Sequence, residues 1–231
     1  MSGLTRCLGS SIGRKGLMGI TGILLSLFLI AHLVGNLLVY AGQDAVNHYA
    51  HAIKGNAALL WAMRGGLFLV FVAHIILGIS LSLENRRARP IKYVKESTQV
   101  ASLASRTMLL TGLLVLTYLL FHLLHFTLGV VGHDAWSSKL ADGSQDVYTM
   151  IILGFQNPIL SIVYLISMVL LYLHLSHGLK SFWQSLGWNH PVYRPMFEKF
   201  GAGLAAILVI GFASIPLTIL LGIIHLPKGG N

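Results

Sequence analysis

Cysteine occurs once in this 231-residue chain, at Cys7, so the polar chemistry available to it rests on 11 histidines and seven acids. A single cysteine excludes an internal disulfide framework, a CxxCH haem attachment site and a cysteine-based metal cluster. Six histidines, His32, His74, His122, His125, His174 and His177, lie in stretches without Asp, Glu, Lys or Arg. Four of them fall into a repeat. Thr21-Gly22 is followed after nine residues by His32, and Thr111-Gly112 after nine residues by His122. His74 is followed after three residues by Gly78-Ile79, and His174 after three residues by Gly178-Leu179. The order TG-x9-H, then H-x3-G-[I/L], thus occurs twice, as two helix pairs with one histidine per helix. Two imidazoles at equal depth on facing helices can hold one flat macrocycle from both faces. That is bis-imidazole haem ligation in a helical core. With both axial positions filled, such a group carries electrons rather than binding oxygen.

The remaining polar residues take supporting roles. Gly78 and Gly178 lie one helical turn after a histidine, where a side chain would compete with a porphyrin. Gly22 and Gly112 lie ten residues before theirs, about 15 Å along the helix, where they give the second group room; close helix packing by small residues is the plainer role. His125 and His177 lie three residues beyond ligand candidates and suit hydrogen-bond donors, propionate partners or packing. Arg14, Lys15, Arg106 and Lys180 suit the propionates of an inner haem and Arg64 those of an outer one; topology and lipid contact are the bland alternative. The polar segment between the first two apolar stretches holds Asp44, Asn47, His48, Tyr49 and His51. A quinone site needs hydrogen bonds and a proton path, so these five are its candidates, in what reads as a loop. His48, His51 and His133 are a remote alternative as a zinc site.

The elements that must position these residues follow from composition. The chain is 55% hydrophobic and 10% charged with a mean hydropathy of +0.75. Soluble domains carry about 25% charged residues, which excludes an ordinary soluble enzyme, a disordered protein and a nucleic-acid binder despite the net charge of +9. Five charge-free stretches, 16–43, 65–83, 107–133, 147–179 and 200–227, are each near or above the roughly 20 residues that a spanning helix needs. The expectation is one all-α domain over 1–231, an integral membrane bundle of five transmembrane helices at about 16–43, 62–84, 106–133, 147–181 and 200–227. Pro158 marks an interfacial turn and Pro216 falls inside helix V. The N-terminal apolar run is too long for a signal h-region and reads as an uncleaved first helix.

Twelve of the 16 basic residues fall on one side: Arg6, Arg14 and Lys15; Arg86, Arg87, Arg89, Lys92, Lys95 and Arg106; Lys180, Arg194 and Lys199. The positive-inside rule places the N-terminus in the cytoplasm and the C-terminus outside. His32 and His122 then lie about 4–5 Å outward of their span midpoints and form an outer pair. His74 and His174 form an inner one. The loop about 84–106 is the largest cytoplasmic feature and the surface for a soluble partner.

Thr21-Gly22 to Leu33, Phe71-Val72-Ala73-His74, Thr111-Gly112 to His122, and His174-Leu175-Ser176-His177-Gly178-Leu179-Lys180-Ser181-Phe182 resemble the five-helix, dihaem cytochrome b anchor of bacterial succinate dehydrogenases and fumarate reductases. The similarity covers nearly the whole chain. It implies two haems b, with His32 and His122 on the outer iron and His74 and His174 on the inner iron. It implies menaquinone as the quinone, a flavoprotein carrying FAD and an iron–sulfur subunit on the cytoplasmic side, and the bacterial cytoplasmic (inner) membrane. The chain would be a subunit of the enzyme without acting on succinate by itself; electrons from succinate would pass through FAD, the clusters and the two haems to quinone. One fumarate-reductase branch has a glutamate two residues before the fourth ligand, where this chain has Tyr172. That branch's outer quinone-site glutamate has no clear match, because Asp44 is the only acid between the first two spans. Both departures turn the expectation toward succinate oxidation. Two other functions remain open at this point: a dihaem anchor of another dehydrogenase or hydrogenase, and a metal or proton transporter. Helix V has no counterpart in the repeat, which disfavours the transporter, since transporters often show inverted repeats.

Overall fold

The computed structural model describes residues 10–88, 107–188 and 190–226. Among these the chain is helical, with no strand and one isolated bridge between Lys139 and Gln145. The elements are α1 (Ser11–Leu37), a 3₁₀ turn (Leu38–Ala41), α2 (Gln43–Lys54), α3 (Ala57–Arg87), α4 (Met108–His122) continued by a π-turn (Leu123–Thr127), α5 (His133–Trp136), α6 (Val147–Gln156), α7 (Pro158–Ser185) and α8 (Arg194–Leu220). Five segments, Ser11–Ala41, Ala57–Arg87, Met108–Thr127, Pro158–Ser185 and Arg194–Leu220, are long and apolar enough to cross a membrane. Their large side chains face outward in number: Leu27, Val34, Phe68, Leu69, Ile76, Leu120, Ile166 and Ile207 are all more than half exposed. In water such surfaces would be unstable; in lipid they are the expected outer face of a multi-pass membrane protein.

The helices start and stop differently from the charge-free stretches. α1 already contains Arg14 and Lys15, α3 extends over Arg86 and Arg87, and α8 begins at Arg194. The first charge marks the end of apolar surface, whereas the backbone hydrogen-bond ladder runs on into the interface. Helix III is shorter than expected, because the π-turn closes with Leu128 N–H donating to Leu123 C=O at 2.8 Å and the chain then turns away. The stretch 147–181 is two helices. The break falls at Pro158, as its position predicts. Asn157 Oδ1 accepts from the amides of Ile159 and Leu160 at 3.0 and 3.3 Å, and proline, which has no N–H to satisfy, occupies the first helical position. Pro216 lies inside α8.

The residues expected as a loop between the first two spans form the amphipathic helix α2 instead. Gly42, at φ +98° and ψ −178°, makes the corner before it, a conformation open to glycine alone. Val46 and Asn47 point inward while Asp44 and His48 are exposed.

The chain divides into two compact units. Unit 1 comprises Met1–Leu29, Ala62–Gly112 and Tyr172–Ala206; unit 2 comprises Ile30–Trp61, Leu113–Leu171 and Ile207–Asn231. In unit 1, Trp183 stacks on Phe197 and Trp188 at centroid distances of 4.5 and 5.4 Å. Lys180 and Arg194 both pair with Glu198 beside these rings, at 2.6 and 2.9 Å. In unit 2 a core of Val39, Val46, Tyr148, Ile152, Phe155 and Ile215 binds α2 and α6 to the longer helices. A polar hub reinforces it. Asp146 caps α6 by accepting from Thr149 N–H, and also accepts from Thr149 Oγ1, Gln43 Nε2 and Asn47 Nδ2 at 2.6–3.1 Å. Burial raises the Asp146 pKa, but the hydrogen bonds from Thr149, Asn47 and Gln43 outweigh it and hold the carboxyl below its ordinary value.

Candidate functional site

Each unit holds one histidine pair. In unit 1, from α3 and α7, the rings of His74 and His174 have centroids 6.4 Å apart and planes at 75°. In unit 2, from α1 and α4, His32 and His122 are 6.0 Å apart with planes at 84°. Metal–imidazole bonds are about 2.0–2.1 Å long, so two imidazoles on opposite sides of one metal have centroids about 6 Å apart. Both pairs have that spacing. None of the four rings is fully buried by protein, whereas His125 is 2% exposed. The donor set therefore fits a bis-histidine group in each unit, held by His74 with His174 and by His32 with His122.

The hydrogen bonds behind the rings differ. Thr21 Oγ1 lies 3.1 Å from His74 Nδ1, and Thr111 Oγ1 lies 3.5 Å from His174 Nδ1. Both contacts engage Nδ1 and leave Nε2 to face a ligand, the arrangement that orients metal-binding imidazoles. In unit 2 the Asn36 amide, one turn further along α1, reaches His32 Nδ1 at 3.3 Å and His32 C=O at 2.7 Å. Phe212 lies beside the His32 ring, with centroids 5.8 Å apart. The Tyr164 hydroxyl is shared between His122 Nδ1 at 3.3 Å and His125 Nδ1 at 3.0 Å. His125 is thus a second neighbour of Tyr164 rather than the partner of His32. Its Nε2 is buried with no hydrogen-bond partner, and a Cβ at Gly132 or Gly154 would stand 3.2 Å from it. His177 Nε2 is 2.9 Å from Ser181 Oγ on its own helix.

The glycines of the repeat divide into two pairs. A Cβ at Gly22 would meet His74 Cε1 at 3.4 Å, and one at Gly112 would meet His174 Cε1 at 3.1 Å. Both therefore seat an imidazole edge. At Gly78 a Cβ would meet Met18 Cε at 3.3 Å, and at Gly178 nothing lies within 4 Å.

The quinone candidates separate onto two faces of α2. Asn47 is buried; its Oδ1 accepts from the amides of Val147 and Tyr148 at 2.8 and 3.2 Å, and its amide donates to Asp146. His51 Nε2 lies 3.1 Å from Gln145 C=O. These two dock α2 onto the start of α6. Asp44, His48 and Tyr49 are exposed, with the Tyr49 ring lying against Gly35. His48, His51 and His133 do not form a metal site: among the described residues no group of three such side chains does. His133 Nδ1 instead lies 3.2 Å from Gly129 C=O.

Two of the cations expected at propionates are engaged by acids. Arg14 pairs with Glu84 at 2.7 Å, leaving its Nε buried without a partner, and Lys180 pairs with Glu198. Lys15 and Arg64 are exposed. Arg106 lies outside the described residues, as does most of the basic loop about 84–106.

Sequence reasoning placed Thr21 and Thr111 in the repeat without giving them work; their recurrence at one place in both halves was the available signal. Nothing comparable marked Tyr164, Asn36 or Asp146, whose partners are 39–103 residues away or one turn along the same helix. No protein-family model, no curated protein and no solved structure matches this chain.

Proposed function

We propose that this chain is the membrane-anchor cytochrome b subunit of a bacterial succinate:quinone oxidoreductase, with two bis-histidine haems b. The observation that carries the reading is the duplicated pair: two sets of imidazoles at 6.0 and 6.4 Å, contributed by corresponding positions of an internal repeat. His74 with His174 hold one haem and His32 with His122 the other. Haem b, when bound, supplies reversible one-electron transfer. The protein's share is to set the ligand geometry, to orient His74 and His174 through their Nδ1 contacts and to surround the sites with apolar side chains that keep water away.

The soluble partners in this reading are a flavoprotein with FAD and an iron–sulfur subunit, docked on the cytoplasmic side where the basic residues concentrate. The N-terminus is cytoplasmic, the C-terminus is outside and the membrane is the bacterial inner membrane. Menaquinone is the lipid-phase redox partner. Asp44, His48 and Tyr49, on the exposed face of α2, are the residues of the candidate set free of the α2–α6 docking contacts, and they are the ones proposed to face it. Purification of the native complex tests the assignment. FAD should co-purify, and succinate should reduce the b haem. Haem that dithionite reduces and succinate does not, without flavin in the preparation, would instead point to the anchor of a different dehydrogenase.

A further inference from the structure

We propose that Thr21 and Thr111 are positioning residues that hold His74 and His174 in the tautomer with a proton on Nδ1 and a bare Nε2. The use of this tautomer rests on the cytochrome reading; the geometry that fixes it does not.

A threonine hydroxyl has one proton to give and two lone pairs to receive. Thr21 Oγ1 lies 3.0 Å from Leu17 C=O and 3.0 Å from Met18 C=O. Carbonyls only accept, so in the proposed arrangement the single hydroxyl proton lies on one of them. What Thr21 then presents to His74 at 3.1 Å is a lone pair, and the facing Nδ1 carries the hydrogen. A neutral imidazole protonated on Nδ1 has a bare Nε2, the form that binds metal. The second half repeats the device. Thr111 Oγ1 gives its proton to Thr107 C=O and Met108 C=O, at 3.0 and 3.2 Å, and faces His174 Nδ1 at 3.5 Å. The glycine that follows each threonine lies against the same imidazole: a Cβ at Gly112 would press on His174 at 3.1 Å, and one at Gly22 would touch His74 at 3.4 Å. The Thr-Gly dipeptide of α1 and of α4 is thus a seat for the histidine of the neighbouring helix: a hydroxyl oxygen for its N–H and an absent side chain for its edge. The 3.5 Å contact is long for a hydrogen bond, so Thr111 is the weaker of the two seats.

The test uses the full chain with its haems. Thr21→Val keeps the shape and removes the acceptor, and Thr21→Ser restores it. An acceptor on Nδ1–H makes imidazole a better electron donor and favours ferric iron. Thr21→Val should therefore raise the midpoint potential of the His74–His174 haem, leave the other unchanged and weaken haem retention in unit 1 by about 10-fold. Thr21→Ser should return both toward wild type, and Thr111→Val should act in the same direction with smaller size. A wild-type potential in Thr21→Val, with both haems present, would overturn the proposal. Ring ¹⁵N NMR of the haem-free full chain in lipid gives an independent readout: His74 should be protonated on Nδ1 in the wild type and lose that preference in Thr21→Val. An Nε2-protonated His74 in the wild type also overturns it. A chain that binds no haem would end the cytochrome reading, while the NMR result would still decide the tautomer.

Discussion

In unit 1 the two histidines are each backed by a threonine from the preceding span, at the same place in the repeat. In unit 2 the corresponding rings find other neighbours: His32 an amide on its own helix, and His122 a tyrosine hydroxyl shared with His125. Each threonine hydroxyl lies within hydrogen-bond reach of two backbone carbonyls, so in the arrangement proposed above it accepts from the imidazole and sets which nitrogen carries hydrogen. The Tyr164 hydroxyl has one proton between two imidazoles and dictates less. The Asn36 amide, itself a donor at His32 C=O, places no proton on His32 Nδ1. Similar ring spacings, 6.0 and 6.4 Å, are therefore reached with different hydrogen-bond partners behind the rings. The repeat conserves the distance between histidines and spends different chemistry on their orientation.

The largest effect expected is on haem content. His74→Ala or His174→Ala should leave one haem per chain, as should His32→Ala or His122→Ala, with pyridine-haemochrome analysis as the readout. His125→Ala should keep both. If His125→Ala loses a haem and His122→Ala does not, the unit 2 pair has been misassigned. Asp146→Ala comes next. It removes a helix cap and leaves the buried Asn47 amide without its acceptor, a combined cost of about 2–4 kcal/mol in thermal unfolding. Loss of α2–α6 docking should perturb the His32–His122 haem spectrum and spare the other. Tyr164→Phe keeps the ring packing and strips the nearly inaccessible His125 of its remaining hydrogen bond, at about 1–3 kcal/mol.

The glycine seats sharpen the comparison within unit 1. A Cβ at position 112 would sit 3.1 Å from His174, closer than ordinary contact, while one at position 22 would sit 3.4 Å from His74. Gly112→Ala should shift the haem spectrum, and Gly22→Ala should leave it near wild type. The smallest effect is that of pH. The Asp146 carboxyl is held below its ordinary value, so its contribution to stability is complete above pH about 4 and is lost as pH falls through and below that value. Asp146→Asn should flatten this part of the acid unfolding profile.

Much of this architecture was legible in the sequence because lipid makes strict demands. Charge-free stretches located five spans, and the repeat singled out the four histidines that the fold brings together in pairs. Pro158 announced the break before α7. What escaped reading shares a cause. α2 lacks the apolar length of a span, and its helical character comes from one buried face, Val46 and Asn47, against α6, which no local pattern announces. Tyr164 and Asp146 work through partners distant in the chain. Gly22 and Gly112 lie against a histidine of the neighbouring span, a contact that spacing along their own helix does not display.

The central claim is that each histidine pair holds one haem. A dithionite-reduced-minus-oxidised spectrum of the purified full chain, with pyridine-haemochrome stoichiometry, tests it directly. The account predicts two b-type haems per chain. No haem in a well-folded sample made with haem available would contradict it.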